Sequence, residues 1–163
     1  MSFSFENIQK ILIATDGSDY SMCAAEYGIS IAKMLDAQII VIYVMDEVVL
    51  NQISKITERE EAERQLKQDG QRYINYVLRF ARKEGVKDSF LLAKLTRGIP
   101  FEEIVHLAKG LNVDLIVMGT YGLRGGERTL MGSVAEKVIE YSSCPVLVLN
   151  KSTGNIICRT KEG

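Results

Sequence analysis

Two glycines, a gap of nine residues and a Gly-Ser pair form the pattern in this sequence that is best suited to bind an anion. They are Gly119-x-x-Gly122, residues 123–131 and Gly132-Ser133. A short apolar run precedes the pattern and an amphipathic stretch follows it, which predicts a strand, a glycine-rich loop and a helix. Such a loop directs backbone N–H groups and a helix N-terminus at one point, and this arrangement binds phosphate groups.

Each residue of the pattern has a predicted role at such a site. Gly119 would let the backbone approach a ligand, Gly122 would permit a positive φ in a tight turn, and Gly132 would let the chain enter the helix close to a phosphate. Ser133 is predicted to cap the helix and to offer its hydroxyl to phosphate or Mg²⁺. A purely structural interpretation stays open, since glycines are common turn residues and Ser133-x-x-Glu136 is a capping box that needs no ligand.

Two better-known phosphate motifs are absent from the sequence. A P-loop needs a lysine directly before the Ser or Thr, and Gly132 stands before Ser133. No cluster of three glycines follows the first predicted strand, which excludes the dinucleotide fingerprint. Without the P-loop lysine we expect any hydrolysis to be slow. Arg124 and Arg128 in the loop either face the phosphates or are solvated charges.

Composition narrows the class of protein. The chain has 163 residues, 47% of them hydrophobic, and a formal net charge of −1. We therefore expect one domain over residues 1–150 with a C-terminal tail over 151–163, and no nucleic acid as partner. No apolar run is long enough to span a membrane, and the first residues do not resemble a signal peptide, so we expect a cytoplasmic protein. A single histidine and three cysteines without metal-ligand spacing predict neither a zinc site nor a catalytic triad.

Apolar runs alternate with helical patterns along the whole sequence. Strands are predicted at 11–14, 39–44, 90–95, 115–118 and 145–149. Ser18 is the predicted cap of a helix that ends near Leu35, and Thr57-x-x-Glu60 is a capping box that opens a long helix ending before Gly85. Shorter helices are predicted at 100–110 and 133–141, and residues 45–56 form a looser segment.

Strands separated by helices predict an α/β fold with a parallel sheet and helices on both faces. Ligands bind such sheets beyond the carboxyl ends of the strands, where the strand order reverses. Two polar or glycine-rich segments lie at carboxyl ends, residues 15–18 after the first strand and 119–133 after the fourth. If these strands are neighbours, both segments meet at one crevice.

Four segments together resemble the universal stress protein family in its ATP-binding branch, and the resemblance covers residues 8–150. The segments are Ala14-Thr15-Asp16-Gly17-Ser18, Tyr43-Val44-Met45-Asp46, Gly98-Ile99-Pro100 with Ile104 and Ala108, and the glycine pattern of residues 119–133. The glycine spacing is similar to the signature that separates the ATP-binding members of that family from the others.

The resemblance implies a Rossmann-like five-stranded sheet in the order 3-2-1-4-5 that binds ATP or ADP with Mg²⁺ or Mn²⁺. Asp16 would contact the ribose, and the backbone of Val44 would read the adenine. The phosphates would be held by Gly119, Gly122, Gly132, Ser133 and Val134, and the pocket would be lined by Ala14, Thr15 and Met118. A metal, if present, would reach Ser133 through the phosphates.

The resemblance also implies a homodimer built on the last strand. An independent argument supports it, since Val146 to Leu149 is a wholly apolar strand at a predicted sheet edge, and such edges are usually paired or covered. The apolar residues of the segment 45–56 are left with three interpretations: burial in the core, a cover over the nucleotide, or contact with a partner.

The leading hypothesis is an ATP-binding regulatory protein of the stress response that acts through contacts with partners. Two alternatives stay open, a slow Mg²⁺-dependent ATPase and a dimeric interaction module without nucleotide turnover. The pattern offers Ser133 no neighbouring base that would make it a nucleophile, which favours holding ATP over consuming it.

Overall fold

A computed structural model describes residues 4–122 and 131–150. Their centre is a parallel sheet of five strands in the order β3-β2-β1-β4-β5, which confirms the predicted fold class. The strands are β1 (Lys10–Ala14), β2 (Gln38–Asp46), β3 (Leu91–Gly98), β4 (Leu115–Gly119) and β5 (Val146–Leu149). The order reverses between β1 and β4, which are hydrogen-bonded neighbours, so the predicted crevice between the first and fourth strands exists.

Five α-helices connect the strands within the described residues. They are α1 (Asp19–Leu35), α2 (Glu47–Asn51), α3 (Ile56–Lys83), α4 (Pro100–Gly110) and α5 (Ser133–Tyr141). Single turns of 3-10 helix occur at Phe5–Asn7 and Asp88–Phe90. Pro100 occupies the first position of α4, as the sequence predicts, since its fixed φ suits a helix start and its missing N–H costs nothing there.

The core consists of two apolar layers, one on each face of the sheet. Alternate residues of β1 enter different layers: Ile11 and Ile13 pack with α1 and α3, whereas Leu12 and Ala14 pack with α4 and α5. This alternation is expected of a parallel strand that is covered on both faces. None of the helices in residues 4–122 and 131–150 combines the length and apolarity needed to cross a membrane.

The structure differs from the sequence-based expectation between β2 and α3. Residues 45–56 are not a loose segment, because β2 continues to Asp46 and α2 follows at once. Oδ1 of Asp46 accepts a hydrogen bond from the Val48 N–H at 2.9 Å and so caps α2. Leu50 is fully buried, Val48 is exposed, and Val49 lies between these extremes. Burial in the core therefore applies to Leu50 and not to Val48, and the other two interpretations stay predictions.

The capping box predicted at Thr57 is wrong. Helix α3 begins one residue earlier, at Ile56, and the side chain of its N-cap residue, Lys55, makes no capping hydrogen bond. The Arg59 guanidinium fixes the entry instead, donating from Nε and Nη2 to the carbonyl oxygen of Ile53 at 3.1 and 2.7 Å. N-terminal capping patterns concern the N-cap residue and the residue three positions later. They therefore do not predict a contact in which Arg59 reaches back to a carbonyl before the helix.

Gly70 lies in the middle of α3, where glycine costs about 1 kcal/mol relative to alanine. The structure gives the reason for its presence. A Cβ at this position would lie 2.3 Å from Cδ1 and 2.5 Å from Cε1 of Tyr43, whose ring is buried beneath the helix. The glycine therefore lets α3 pack closely on β2.

This contact predicts that Gly70→Ala lowers the free energy of unfolding, although helix propensity alone predicts a gain. We expect a net loss of about 1–3 kcal/mol, the usual cost of overpacking a core. Gly110→Ala is the matched control, since Gly110 ends α4 and a Cβ there meets nothing within 4 Å. Urea unfolding of both variants measures the effect. A gain in stability for Gly70→Ala would contradict the packing argument.

The predicted C-terminal tail, residues 151–163, lies outside the described residues, as do Arg124 and Arg128 of the glycine-rich loop.

Candidate functional site

A cleft of about 370 Å³ opens at the carboxyl ends of β1 and β4. Its volume lies within the range of small-molecule sites. All ten residues predicted from the sequence line this cleft: Ala14, Thr15, Asp16, Val44, Met118, Gly119, Gly122, Gly132, Ser133 and Val134. The structure therefore brings the predicted residues together, and the role of each toward a ligand stays a prediction.

The loop after β1 is held by its own hydroxyl and carboxylate groups. Asp16 Oδ1 accepts from the Ser18 N–H at 2.9 Å, and Thr15 Oγ1 accepts from the Gly17 N–H at 3.3 Å. The Thr15 and Ser21 hydroxyls lie 3.2 Å apart and are both buried. Ser18 caps α1 by accepting from the Ser21 N–H at 3.2 Å, as predicted. These bonds fix the position of Asp16 in the wall of the cleft.

Thr120, directly after β4, makes two backbone hydrogen bonds. Its N–H donates to the Leu149 carbonyl at the end of β5, and its carbonyl accepts from the Gly132 N–H, both at 2.8 Å. The ring of Tyr121 meets that of Tyr20 edge to face, with 5.3 Å between centroids. Thr120 thus joins the end of the sheet to the start of α5.

The N-terminus of α5 faces the cleft, and its N-cap residue supplies no side-chain capping hydrogen bond. Gly132 is the N-cap residue and Ser133 the first helical residue, so the predicted capping by Ser133 is wrong. The capping role requires extended backbone just before the helix, and Gly132 has that conformation, with φ −73° and ψ 154°. The N–H groups of Ser133, Val134 and Ala135 belong to the first turn, where a helix supplies no acceptor. All three residues line the cleft.

The glycines of the pattern are required for reasons that the sequence did not show. A Cβ on Gly119 would lie 2.7 Å from Cβ of Tyr20 and 3.0 Å from the backbone nitrogen of Ser21, so this glycine is needed for the close approach of helix α1. Gly122 does not have the positive φ that we predicted. A Cβ there would lie 2.5 Å from Oδ2 of Asp16, so this glycine allows the two loops to approach.

The other end of the cleft is formed where β2 extends beyond β1. Ala14, the last residue of β1, pairs with Ile42, whose carbonyl accepts from the Thr15 N–H at 3.0 Å. Val44 lies two residues further along β2, so its N–H and carbonyl point to the same side as those of Ile42. On that side β1 has already ended and the cleft begins. Val44 thus presents one backbone donor and one backbone acceptor to the cleft.

Sequence reasoning missed several lining residues. They are Ser21, Ile42, Tyr43, Asp46, Leu66, Pro100, Ile104, Thr120, Tyr121 and Ala135, whereas Val49 belongs to the segment for which a cover over the nucleotide was one interpretation. Pro100 and Ile104 follow the carboxyl end of β3, and this position on the same sheet edge is a signal that could have found them. Leu66 comes from the middle of a long helix, and only the packing of α3 on β2 brings it to the cleft.

The charges in the cleft are unevenly placed. Asp16 and Asp46 supply two carboxylates toward the β1–β2 side, whereas α5 presents the positive end of its dipole on the β4 side. Among the described residues that line the cleft there is no lysine or arginine. The described donors available to an anion are therefore backbone N–H groups and hydroxyl groups such as that of Ser133.

Comparison with known proteins gives a consistent match over the described fold. The model of the universal stress protein family matches residues 7–150. Universal stress protein MJ0531 of Methanocaldococcus jannaschii is 44% identical over 147 residues, which cover 90% of this chain and 85% of that protein.

Solved structures show the same architecture. The hypothetical protein MJ0577 superposes with a TM-score of 0.76 at 28% identity, covering 88% of this chain and 96% of its own. A universal stress protein solved in complex with cAMP superposes with a TM-score of 0.58 at 24% identity, covering 87% of this chain and 96% of its own. At this identity the second match shows the fold alone.

Proposed function

Because this chain belongs to the universal stress protein family, we propose that it is a regulatory protein that binds an adenine nucleotide, with ATP as the leading candidate. One observation carries the proposal. The N-terminus of α5 and the open backbone edge of Val44 lie at opposite ends of one cleft, with Asp16 in its wall. A nucleotide has an anionic end, a sugar with hydroxyl groups and a hydrogen-bonding base in the same order.

The phosphates belong at α5. The N–H groups of Ser133, Val134 and Ala135 converge there with the positive end of the helix dipole, and both favour an anion. The Ser133 side chain is exposed and offers a hydroxyl beside them. A Mg²⁺ or Mn²⁺ ion would be held mainly by the phosphates, because such ions keep several waters and use few protein ligands.

The base belongs at Val44. Adenine offers an amino donor beside a ring-nitrogen acceptor, and these match the backbone carbonyl and N–H of one residue. Guanine places an acceptor and a donor in the reverse arrangement, so the same backbone edge would disfavour it. Val49, Pro100 and Ile104 supply apolar surface at this part of the cleft.

The ribose belongs near Asp16. A carboxylate accepts hydrogen bonds from hydroxyl groups, and such charge-assisted bonds are about twice as strong as neutral ones. The loop hydrogen bonds that fix Asp16 provide this acceptor already in place, which lowers the ordering cost of binding. The universal stress protein solved with cAMP supports the proposal only as far as the fold, since it shows that another protein of this architecture holds a nucleotide.

Thermal unfolding with added nucleotides tests the proposal. We expect ATP or ADP at ~1,000 times its dissociation constant to add about 4 kcal/mol to the free energy of unfolding. For a protein of this size that is a rise in Tm of roughly 8–16 °C. Acid extraction of the purified protein would identify any nucleotide that it carries.

GTP and inorganic phosphate are the control ligands in the same experiment, each with and without Mg²⁺. No rise in Tm with any nucleotide would overturn the proposal, and an equal rise with GTP would contradict the role of Val44. Dimerisation through β5 stays a prediction. The structure places this strand at one edge of the sheet, with Val146, Leu147 and Val148 only half-buried.

A further inference from the structure

One face of α3 contacts both the cleft and the loop after β1. Leu66 lines the cleft directly, Gly70 receives the ring of Tyr43, and Tyr73 packs against Gly17. These positions on the helix are spaced by four and three residues, so they lie on one side of it. The same helix therefore contacts β2, the base end of the cleft and the loop that carries Asp16.

The contact between Tyr73 and Gly17 is the closest of these. A Cβ on Gly17 would lie 2.2 Å from Cζ and 2.3 Å from Cε2 of Tyr73, so the ring lies flat against the glycine backbone. Gly17 has a φ of 84°, a conformation that residues with a side chain seldom adopt. This turn under the ring is possible only because position 17 is glycine.

The ring is itself held firmly. Tyr73 is half-buried against the core, and its ring centroid lies 6.1 Å from that of Tyr43. The guanidinium carbon of Arg72 lies 5.3 Å from the same centroid, and Arg72 pairs with Asp69 at 3.0 Å. Tyr73 is thus a fixed surface on which the loop after β1 rests.

We propose that Tyr73 is a positioning residue for Asp16: its ring holds Gly17 in the left-handed turn and thereby places the neighbouring carboxylate for a ribose. The hydrogen bond from the Ser18 N–H to Asp16 Oδ1 spans this turn, so it depends on the same backbone geometry. The proposal rests on the proposed function for its ligand, but its effect on the loop exists without one.

The variant Tyr73→Leu tests the proposal, since it keeps an apolar side chain and removes the flat ring. Tyr73→Phe keeps the ring and is expected to behave as the wild type. Tyr76→Leu is the matched control on the same helix, because Tyr76 is exposed. Without nucleotide, we expect the Gly17 and Ser18 amides of Tyr73→Leu to exchange about tenfold faster, the effect of losing one net hydrogen bond.

Unchanged exchange at Gly17 and Ser18 would overturn the proposal. Equally accelerated exchange along the whole of α3 would also overturn it, because it would show general loss of stability rather than a local effect on the loop. The Tyr73→Phe and Tyr76→Leu proteins define the range that counts as unchanged.

Nucleotide binding provides the second measurement. The wild type is expected to bind ATP more tightly than its 2′,3′-dideoxy analogue, and Tyr73→Leu to lose most of this preference while the affinity for the analogue changes little. A preference retained in full by Tyr73→Leu would overturn the positioning role. A wild type that binds no nucleotide would overturn the proposed function alone, because the amide exchange still decides whether Tyr73 holds the loop.

Discussion

Gly132→Val is expected to abolish the rise in Tm that a saturating adenine nucleotide gives the wild type. A Cβ at this position would lie 2.9 Å from the carbonyl oxygen of Thr120 and 3.4 Å from Cα of Tyr121. The first turn of α5 must then move away from the β4 loop and break the 2.8 Å hydrogen bond from Gly132 to Thr120. The N–H groups that would hold the phosphates move with it.

The expected loss equals the full ligand stabilisation, about 4 kcal/mol at ~1,000 times the wild-type dissociation constant. The nucleotide-free variant should keep the circular dichroism spectrum of the wild type, because Gly132 lies at a helix start and not in the core. Gly110→Val is the control for introducing a valine, since the space around Gly110 is open. A normal rise in Tm for Gly132→Val would refute the placement of the phosphates at α5.

Gly119→Val is expected to destabilise the nucleotide-free protein. It differs in this from Gly132→Val, which should keep its fold and lose the stabilisation by nucleotide. Gly119 is buried at the end of β4, and a Cβ there would lie 2.7 Å from Cβ and 2.8 Å from the backbone carbon of Tyr20. These atoms belong to the first turn of α1 and cannot rotate away. We expect a loss of about 3 kcal/mol in the free energy of unfolding, the upper part of the usual range for overpacking.

Urea unfolding without nucleotide measures this effect, with Gly110→Val again as control. The midpoint should fall while the slope of the transition stays close to that of the wild type, because the fold is retained. A Gly119→Val protein with wild-type stability but no nucleotide binding would show that this glycine serves the ligand directly. The two variants together therefore separate the two uses of glycine within one sequence pattern.

The sequence was sufficient to predict the sheet and the meeting of the two loops. Five apolar runs, separated by helical patterns, leave few topologies for a parallel sheet. The order 3-2-1-4-5, which the family resemblance implies, is the observed one. Residues that follow the ends of neighbouring strands must then lie at one edge. This is why the predicted segments around Asp16 and Gly132, far apart in the sequence, were correctly placed in one cleft.

The predictions that failed concern local backbone geometry and contacts between distant elements. Ser133 matches a capping pattern, but whether it or Gly132 is the cap depends on where the backbone turns, and the hydrogen bond to Thr120 decides that. The need for glycine at position 119 comes from α1, which is far away in the sequence. Helix α2 was missed because five residues carry too little periodicity.

The order in which the cleft residues occur along the sequence has a consequence for protein synthesis. The walls at Asp16 and Val44 belong to the first third of the protein, whereas Ser133 and Val134 come near its end. A nascent polypeptide therefore exposes the proposed base-binding edge long before it has the proposed phosphate-binding helix. Interrupted products that stop before α5 would lack one end of the site, so nucleotide occupancy would distinguish polypeptides that contain the complete sheet from truncated ones.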